Sequence, residues 1–192
     1  MEGAGRAAGA HILEAMLHFA LSAIGRDRPG IVSAVSEALL AHGANIEDSQ
    51  MAILRGRFAM MLIVSAEAGA DAAMLEHDLR ATADRLGLDA ISVSEIRETD
   101  SGAEPVPSHM VSVYGADHPG IVHAVSSALA GLGVTITDLE TRLAGDGAVY
   151  AMQLEVALPE HADAAVVQRA LTAVAGAQQV ELTFRPLERD AL

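Results

Sequence analysis

Apolar positions along the chain recur at two spacings. "LHFALSAI" (17–24) is an apolar, partly alternating run, the mark of a half-buried strand. Beyond it, Ile31, Val35 and Leu39, with Val32 and Ala38 beside them, recur at helical spacing until Gly43. That pattern predicts an amphipathic helix with a glycine stop. "NIEDSQMAIL" (45–54) and "FAMMLIVSA" (58–66) flank the short connection "RGR" and predict a hairpin. Leu75, Leu79 and Leu86 line a second helix ended by Gly87, and "LDAISVSEI" (88–96) closes the series as a strand.

The series then repeats. "GRDRPGIV" at 25–32 returns as "GADHPGIV" at 115–122, and Ser22–Asp48 matches Ser112–Asp138 at 15 of 27 positions. After Asp48 the offset grows from 90 to 92, so that "FAMMLIV" (58–64) falls on "YAMQLEV" (150–156). The two extra residues belong in a turn, for which "AGDGA" (144–148) has the right chemistry. Ile121, Val125 and Leu129 predict the second copy's first helix, and "QVELTFR" (179–185) its last strand.

A self-match at fixed offset sets the architecture. Each copy reads βαββαβ, the split-βαβ or ferredoxin-like order, an α+β fold with two helices on one face of an antiparallel sheet. The expected domains are 17–97 and 109–186, joined by a linker at 98–108 within "RETDSGAEPVPS", which is polar and carries two prolines. The ends, 1–16 and 187–192, are expected to be flexible, with residues 1–15 either an extension or a segment before a functional start at Met16.

Composition narrows the chemistry. The chain of 192 residues is 51% hydrophobic but only 3% aromatic, so its cores must be aliphatic. Net charge is −14, divided as −6 over residues 1–98 and −8 over 99–192. Nucleic-acid affinity comes largely from Lys and Arg meeting phosphates, so direct DNA or RNA binding is not expected. The same sign argues against anionic membranes, and no apolar stretch reaches the roughly 20 residues of a membrane span. With no cysteine and no lysine, disulfides, thiolate nucleophiles and Schiff-base chemistry are absent. His118 and His123 lie five apart, not at the i, i+4 spacing of a helical metal pair. No metal or cofactor is expected, no nucleophile–base pair emerges from spacing, and the location expected is cytoplasmic.

The repeated turn is the remaining feature. Pro29 has φ preset for a first helical turn, and Asp27 is a candidate cap for the amides that follow. Gly30 adds no side chain, so a small ligand can approach the amides of Gly30, Ile31 and Val32 at the positive end of the helix dipole. A carboxylate suits that end and the Asp27 carboxylate suits an ammonium group, which together describe a zwitterion. Asp, Pro and Gly ahead of a helix are also frequent as mere punctuation.

"DRPGIVSAVSEALLAHGANIEDSQ" (27–50) and "DHPGIVHAVSSALAGLGVTITDLE" (117–140) resemble the ACT domain, a small-ligand regulatory module of amino-acid metabolism. A free-standing tandem of this kind is similar to the glycine cleavage system transcriptional repressor family. The resemblance implies a non-catalytic sensor of a small amino acid, such as glycine or serine. Such a sensor acts through a regulatory protein partner and self-associates as a homo-oligomer, with effectors held where one domain's first loop meets a neighbour. It also implies site residues: Asp27, Pro29, Gly30, Ile31 and Val32 with Asn45 and Ile46 in the first copy. In the second, Asp117, Pro119, Gly120, Ile121 and Val122 correspond, but Thr135 stands where asparagine is usual.

Three other readings are weighed. RNA-recognition domains share this strand order but stack bases on aromatic strands within a basic surface, whereas here "FAMMLIV" and "YAMQLEV" carry one aromatic each in an acidic chain. Similar ACT sequences precede catalytic domains in formyltetrahydrofolate deformylase and some phosphoserine phosphatases; here only a short tail follows the second repeat, so the chain is expected not to be an enzyme. A ligand-silent scaffold, or a regulatory subunit of a separate enzyme, stays open.

Overall fold

The structure is a computed structural model, and it describes residues 16–67, 71–96, 105–144 and 149–187. The chain divides near residue 102 into two compact units. The first contains β1 (Met16–Arg26), α1 (Ile31–Ala41), β2 (Asn45–Leu54), β3 (Arg57–Glu67), α2 (Ala72–Leu86) and β4 (Leu88–Ile96). The second contains β5 (His109–Gly115), α3 (Ile121–Ala130), β6 (Thr135–Ala144), β7 (Val149–Ala157), α4 (Ala164–Gln178) and β8 (Glu181–Pro186). Both sheets are antiparallel, in the orders β2-β3-β1-β4 and β6-β7-β5-β8. This is the expected α+β, ferredoxin-like arrangement, made twice.

Strand alternation sends one set of side chains to the helices and the other set away. On β1, Phe19, Leu21 and Ala23 enter the core; Phe58, Met60, Leu62 and Val64 of β3 meet them, and Ile31, Val35, Leu39, Leu75 and Leu79 close it from the helices. The second core repeats the scheme with Val111, Val113, Met152, Leu154 and Val156 beneath Ile121, Val125, Leu129, Val167 and Leu171. Few aromatics serve these cores, as composition requires.

Glycine ends the first helix of each copy where the pattern placed it. Gly43 and Gly133 adopt φ of 65° and 69°. The next amide then reaches back, Ala44 N–H to the Leu39 carbonyl and Val134 N–H to that of Leu129, each at 3.0 Å. These are Schellman closures, which depend on a residue tolerant of left-handed φ. The "RGR" connection is a two-residue turn, with Arg55 and Gly56 at φ 48° and 76°, the primed geometry that matches strand twist.

Several expectations change in detail. β1 runs further in both directions than 17–24. β8 starts at Glu181 rather than 179, because Gln179 is the left-handed C-cap of α4, at φ 54°. In the second strand of each copy, the register shifts between Ile46 and Asp48 and between Ile136 and Asp138, so one residue there is bulged. Most of the linker (97–104), the segment 145–148 and the termini 1–15 and 188–192 lie outside the described residues. Within the described part, Ser108 N–H donates to the Val156 carbonyl and Leu187 N–H to that of Ser108.

Candidate ligand site

The first loop leaves β1 after Arg26 and turns through Asp27, Arg28, Pro29 and Gly30 into α1. The helix begins at Ile31, not at Pro29. Gly30 is the N-cap, at φ 95° and ψ −6°, and no side chain caps the first turn. Asp27 therefore does not act as the expected cap. It lies three residues before Gly30, and its own amide donates to the Gly56 carbonyl at 3.0 Å, which ties the loop to the hairpin tip. The only backbone bond that Gly30 supplies to the helix is its carbonyl to Ala34 N–H.

Two consequences follow for a ligand. Helix-start amides have no partner within the helix, and here no side chain takes their place. A Cβ added at Gly30 would have nothing within 4 Å, so the space beside Gly30 itself is open. Ile31 buries its side chain at 2% exposure, which leaves only its amide for the loop, whereas Val32 is 48% exposed.

The second loop repeats this construction. Gly120 is an uncapped N-cap at φ 107° and ψ −13°, Ala124 N–H bonds its carbonyl, Ile121 is buried and Val122 exposed. A Cβ at Gly120 would stand 3.7 Å from Gln178 Oε1.

Asn45 and Ile46 are not part of the loop cluster in their own repeat. Asn45 pairs with Ser65, which pairs with His18, and His18 lies eight residues along β1 from Arg26. At about 3.3 Å per residue, that is roughly 26 Å from the loop. Thr135 pairs with Ala157, beyond the Val156–His109 pair, and so is also at the far end of its sheet. The structure gathers Asp27, Pro29, Gly30, Ile31 and Val32 at one end of the first repeat, with Asn45 and Ile46 at the other. It does the same with Asp117, Pro119, Gly120, Ile121 and Val122 against Thr135.

Sequence reasoning missed the residue between Asp and Pro. A Cβ added at Gly87, the left-handed C-cap of α2, would stand 3.0 Å from Arg28 Nη2, so this guanidinium lies against the end of that helix. His118 does the same at α4: its Nε2 is 2.8 Å from the Gln178 carbonyl, and its Nδ1 3.2 Å from the Pro119 carbonyl. Both ring nitrogens thus face acceptors, a geometry that only the doubly protonated imidazolium satisfies fully. The carbonyls of Gln178 and then Pro119 raise the His118 pKa above its ordinary 6.5, Asp117 adds to the rise, and partial desolvation opposes it. The signal in the sequence was a basic residue at this step in both copies.

Tyr150 at the start of β7 is buried, donates to Met152 Sδ at 3.6 Å, and has its pKa raised by burial and then by Asp117. A groove of about 530 Å³, lined by Tyr114, Gly115, Ala116, Val149, Val180 and Glu181 among others, opens beside this loop. It includes neither Asp117 nor Gly120, so its volume is not that of the amide site. The contact of Ser108 Oγ with His109 Nδ1 at 3.0 Å is a clasp on the backbone, because the same hydroxyl accepts from Leu158 N–H. No group of three or more His, Cys, Asp or Glu side chains fit to hold a metal occurs among the described residues.

Two ferredoxin-like units, each opening its first helix behind an Asp-x-Pro-Gly turn with no side-chain cap, make the chain a tandem of one α+β module. The family model of the ACT domain matches residues 18–93 and 109–185, and the chain belongs to that family. It is similar to the glycine cleavage system transcriptional repressor of Escherichia coli, with 28% identity over 167 residues, 84% of this chain and 86% of that protein. It is also similar to phosphoserine phosphatase SerB2 of Mycobacterium tuberculosis, with 32% identity over 165 residues. That match takes in 84% of this chain but spans only 39% of the phosphatase. The solved structure of an unknown protein from Galdieria sulphuraria superposes with a TM-score of 0.73 at 31% identity, covering 91% of this chain and all of that one.

Proposed function

We propose that the protein is a non-catalytic regulator that binds a small amino acid at its Asp-x-Pro-Gly loops and passes the signal to a protein partner. The observation that carries this reading is the pair of uncapped helix starts at Gly30 and Gly120, each with an aspartate three residues earlier. The amides suit a carboxylate and the aspartates an ammonium group. Asn45 and Ile46, distant from their own loop, complete a site when a neighbouring domain brings its loop to them. Similarity to the repressor across both repeats supports transcriptional control of glycine and one-carbon metabolism as the setting, with a cytoplasmic location and a homo-oligomeric assembly. Binding favours one arrangement of the domains through differential affinity, the only way a ligand can shift such an equilibrium.

A thermal-shift panel of the twenty amino acids tests this. Ligand at a hundred times its dissociation constant adds about 2.7 kcal/mol, and each kcal/mol raises the midpoint of a chain this size by roughly 2–4 °C. One amino acid is expected to give a saturable rise that Gly30→Val removes by filling the loop and Asn45→Ala reduces without loss of fold. A flat panel at millimolar concentration defeats the sensor reading and leaves a ligand-silent scaffold. The phosphatase similarity favours a second reading, a regulatory subunit of a separate enzyme, which the same panel would support if the hit were that enzyme's product.

A further inference from the structure

All twelve basic residues of the chain are arginine, and four of them flank a single backbone hydrogen bond. The Asp27 amide donates to the Gly56 carbonyl at 3.0 Å. Residues 26 and 28 on one side of that bond, and 55 and 57 on the other, are all arginine, and all four are exposed. Arg26 pairs directly with Arg57 at the end of the β1–β3 ladder. In the next pair, Gly25 with Phe58, the ring of Phe58 enters the core. Strand alternation therefore turns Arg26 and Arg57 to the face of the sheet away from the helices. Arg55 stands beside them in the two-residue turn, at φ 48°.

The carboxylates of this corner do not balance it. Asp89 pairs with Arg57, and the Arg28 guanidinium lies against the end of α2 at Gly87. Among the described residues, Arg26 and Arg55 form no ion pair, and Asp27 joins none of the four arginines. Four arginines against Asp27 and Asp89 leave two positive charges in excess, in a chain whose net charge is −14. Like charges directly opposed across two strands destabilise the pair. The second repeat shows that the scaffold does not need them. By the sequence offsets of 90 and 92, Ala116, His118, Gly147 and Val149 hold the places of Arg26, Arg28, Arg55 and Arg57. Glu181 follows Val180, the contact of Gly115, as Asp89 follows Leu88, the contact of Gly25. The acid has a counterpart and the arginine cluster has none.

We propose that this corner binds a phosphate group, free or carried by a small molecule, between Arg26 and Arg57 on the open face of the sheet, with Arg55 reaching it from the turn. Guanidinium forks match phosphate oxygens two at a time. A phosphate dianion removes the repulsion between Arg26 and Arg57 and matches the two excess charges, which a single carboxylate does not. The acidity of the rest of the chain disfavours a nucleic-acid strand, whose flanking phosphates meet no further cluster of this kind among the described residues. The site stands beside the Asp-x-Pro-Gly loop but does not rest on amino-acid binding there, because its donors are side chains of the sheet end and the hairpin turn.

NMR of backbone amides and arginine Nε–H groups in the nitrogen-15-labelled full chain tests this at about pH 7.5, above the second phosphate pKa. Ionic strength is held constant so that screening does not vary. Titration with inorganic phosphate and with glycerol 3-phosphate over roughly 0.1–30 mM brackets the millimolar affinity expected of a few exposed charged contacts. Saturable shifts are expected at residues 26–28, 55–57 and 89, and none at 116–118 and 149. Tighter binding of glycerol 3-phosphate identifies an organic phosphomonoester, and equal affinity identifies free phosphate. Arg26→Gln with Arg55→Asn, the asparagine tolerating the left-handed φ, is expected to raise the dissociation constant at least about tenfold. Arg142→Gln, at an exposed arginine of the second sheet, leaves it unchanged, and the spectra of both variants report their fold directly. No saturation, an equal response to acetate, an equal loss in Arg142→Gln, or tighter binding of a single-stranded DNA oligonucleotide than of glycerol 3-phosphate overturns the proposal. The amino-acid panel reads a separate event, and a flat panel leaves these shifts in place.

Discussion

Arg28 and His118 stand at the same step of the same turn, and each reaches the C-terminal end of its repeat's second helix. Helix ends carry partial negative charge, so a cation suits both places. Arginine supplies it at any accessible pH; histidine supplies it only when protonated. Two backbones of the same form therefore hold loops of different constancy, the first fixed and the second dependent on a proton. Divergence after duplication has kept the geometry and changed how firmly the charge is held.

The largest effects lie in the cores: Leu79→Ala and Leu171→Ala each empty a fully buried site, with an expected loss of about 3 kcal/mol or more. Denaturant titration followed by circular dichroism reads these losses. A deficit confined to one transition shows that the repeats unfold separately, and a shared deficit shows that they do not.

Smaller effects come from the N-caps. Gly30→Ala and Gly120→Ala put a side chain at φ 95° and 107°, a strain of roughly 1–3 kcal/mol each. Similar values in the two variants keep the loops equivalent as backbone. A clear difference traces to Gln178, the side chain near Gly120 but absent at Gly30.

The smallest effect is the one specific to the comparison. A folded-state pKa above 6.5 for His118 means that the folded chain binds the proton more tightly than the unfolded one. Its stabilisation is whole below about pH 6.5 and is lost as pH rises through the folded value. His118→Arg should remove this part of the pH dependence and Arg28→His should install one in the first repeat, as read from thermal midpoints across that window. A His118 titration at or below 6.5 by NMR would show that the two carbonyls do not hold the proton.

Much of this was legible in the chain. The helical spacing of Ile31, Val35 and Leu39, the stop at Gly43 and the tight "RGR" turn each follow from a local rule, and the internal match fixed the order of elements. The helix start was less legible. Asp27 looks like a cap by residue type, but capping requires a position next to the first turn, and the left-handed φ of Gly30 takes that place. The faces of the second strands were hidden for another reason. The bulges at Glu47 and Thr137 break the alternation in β2 and β6, so which residues share a face emerges only from the pairing. The contacts of Arg28 and His118 join segments about sixty residues apart, which no local pattern reports.

The chain has two tyrosines and no tryptophan. Both tyrosines belong to the second repeat, Tyr114 exposed and Tyr150 buried within the influence of Asp117. The first repeat holds Phe19 and Phe58 instead, which are almost dark at tyrosine wavelengths. Intrinsic emission from the unmodified chain is therefore a colour filter on the duplication: it sees one copy and is blind to the other, and its buried fluorophore sits behind the loop whose proton sets the two apart.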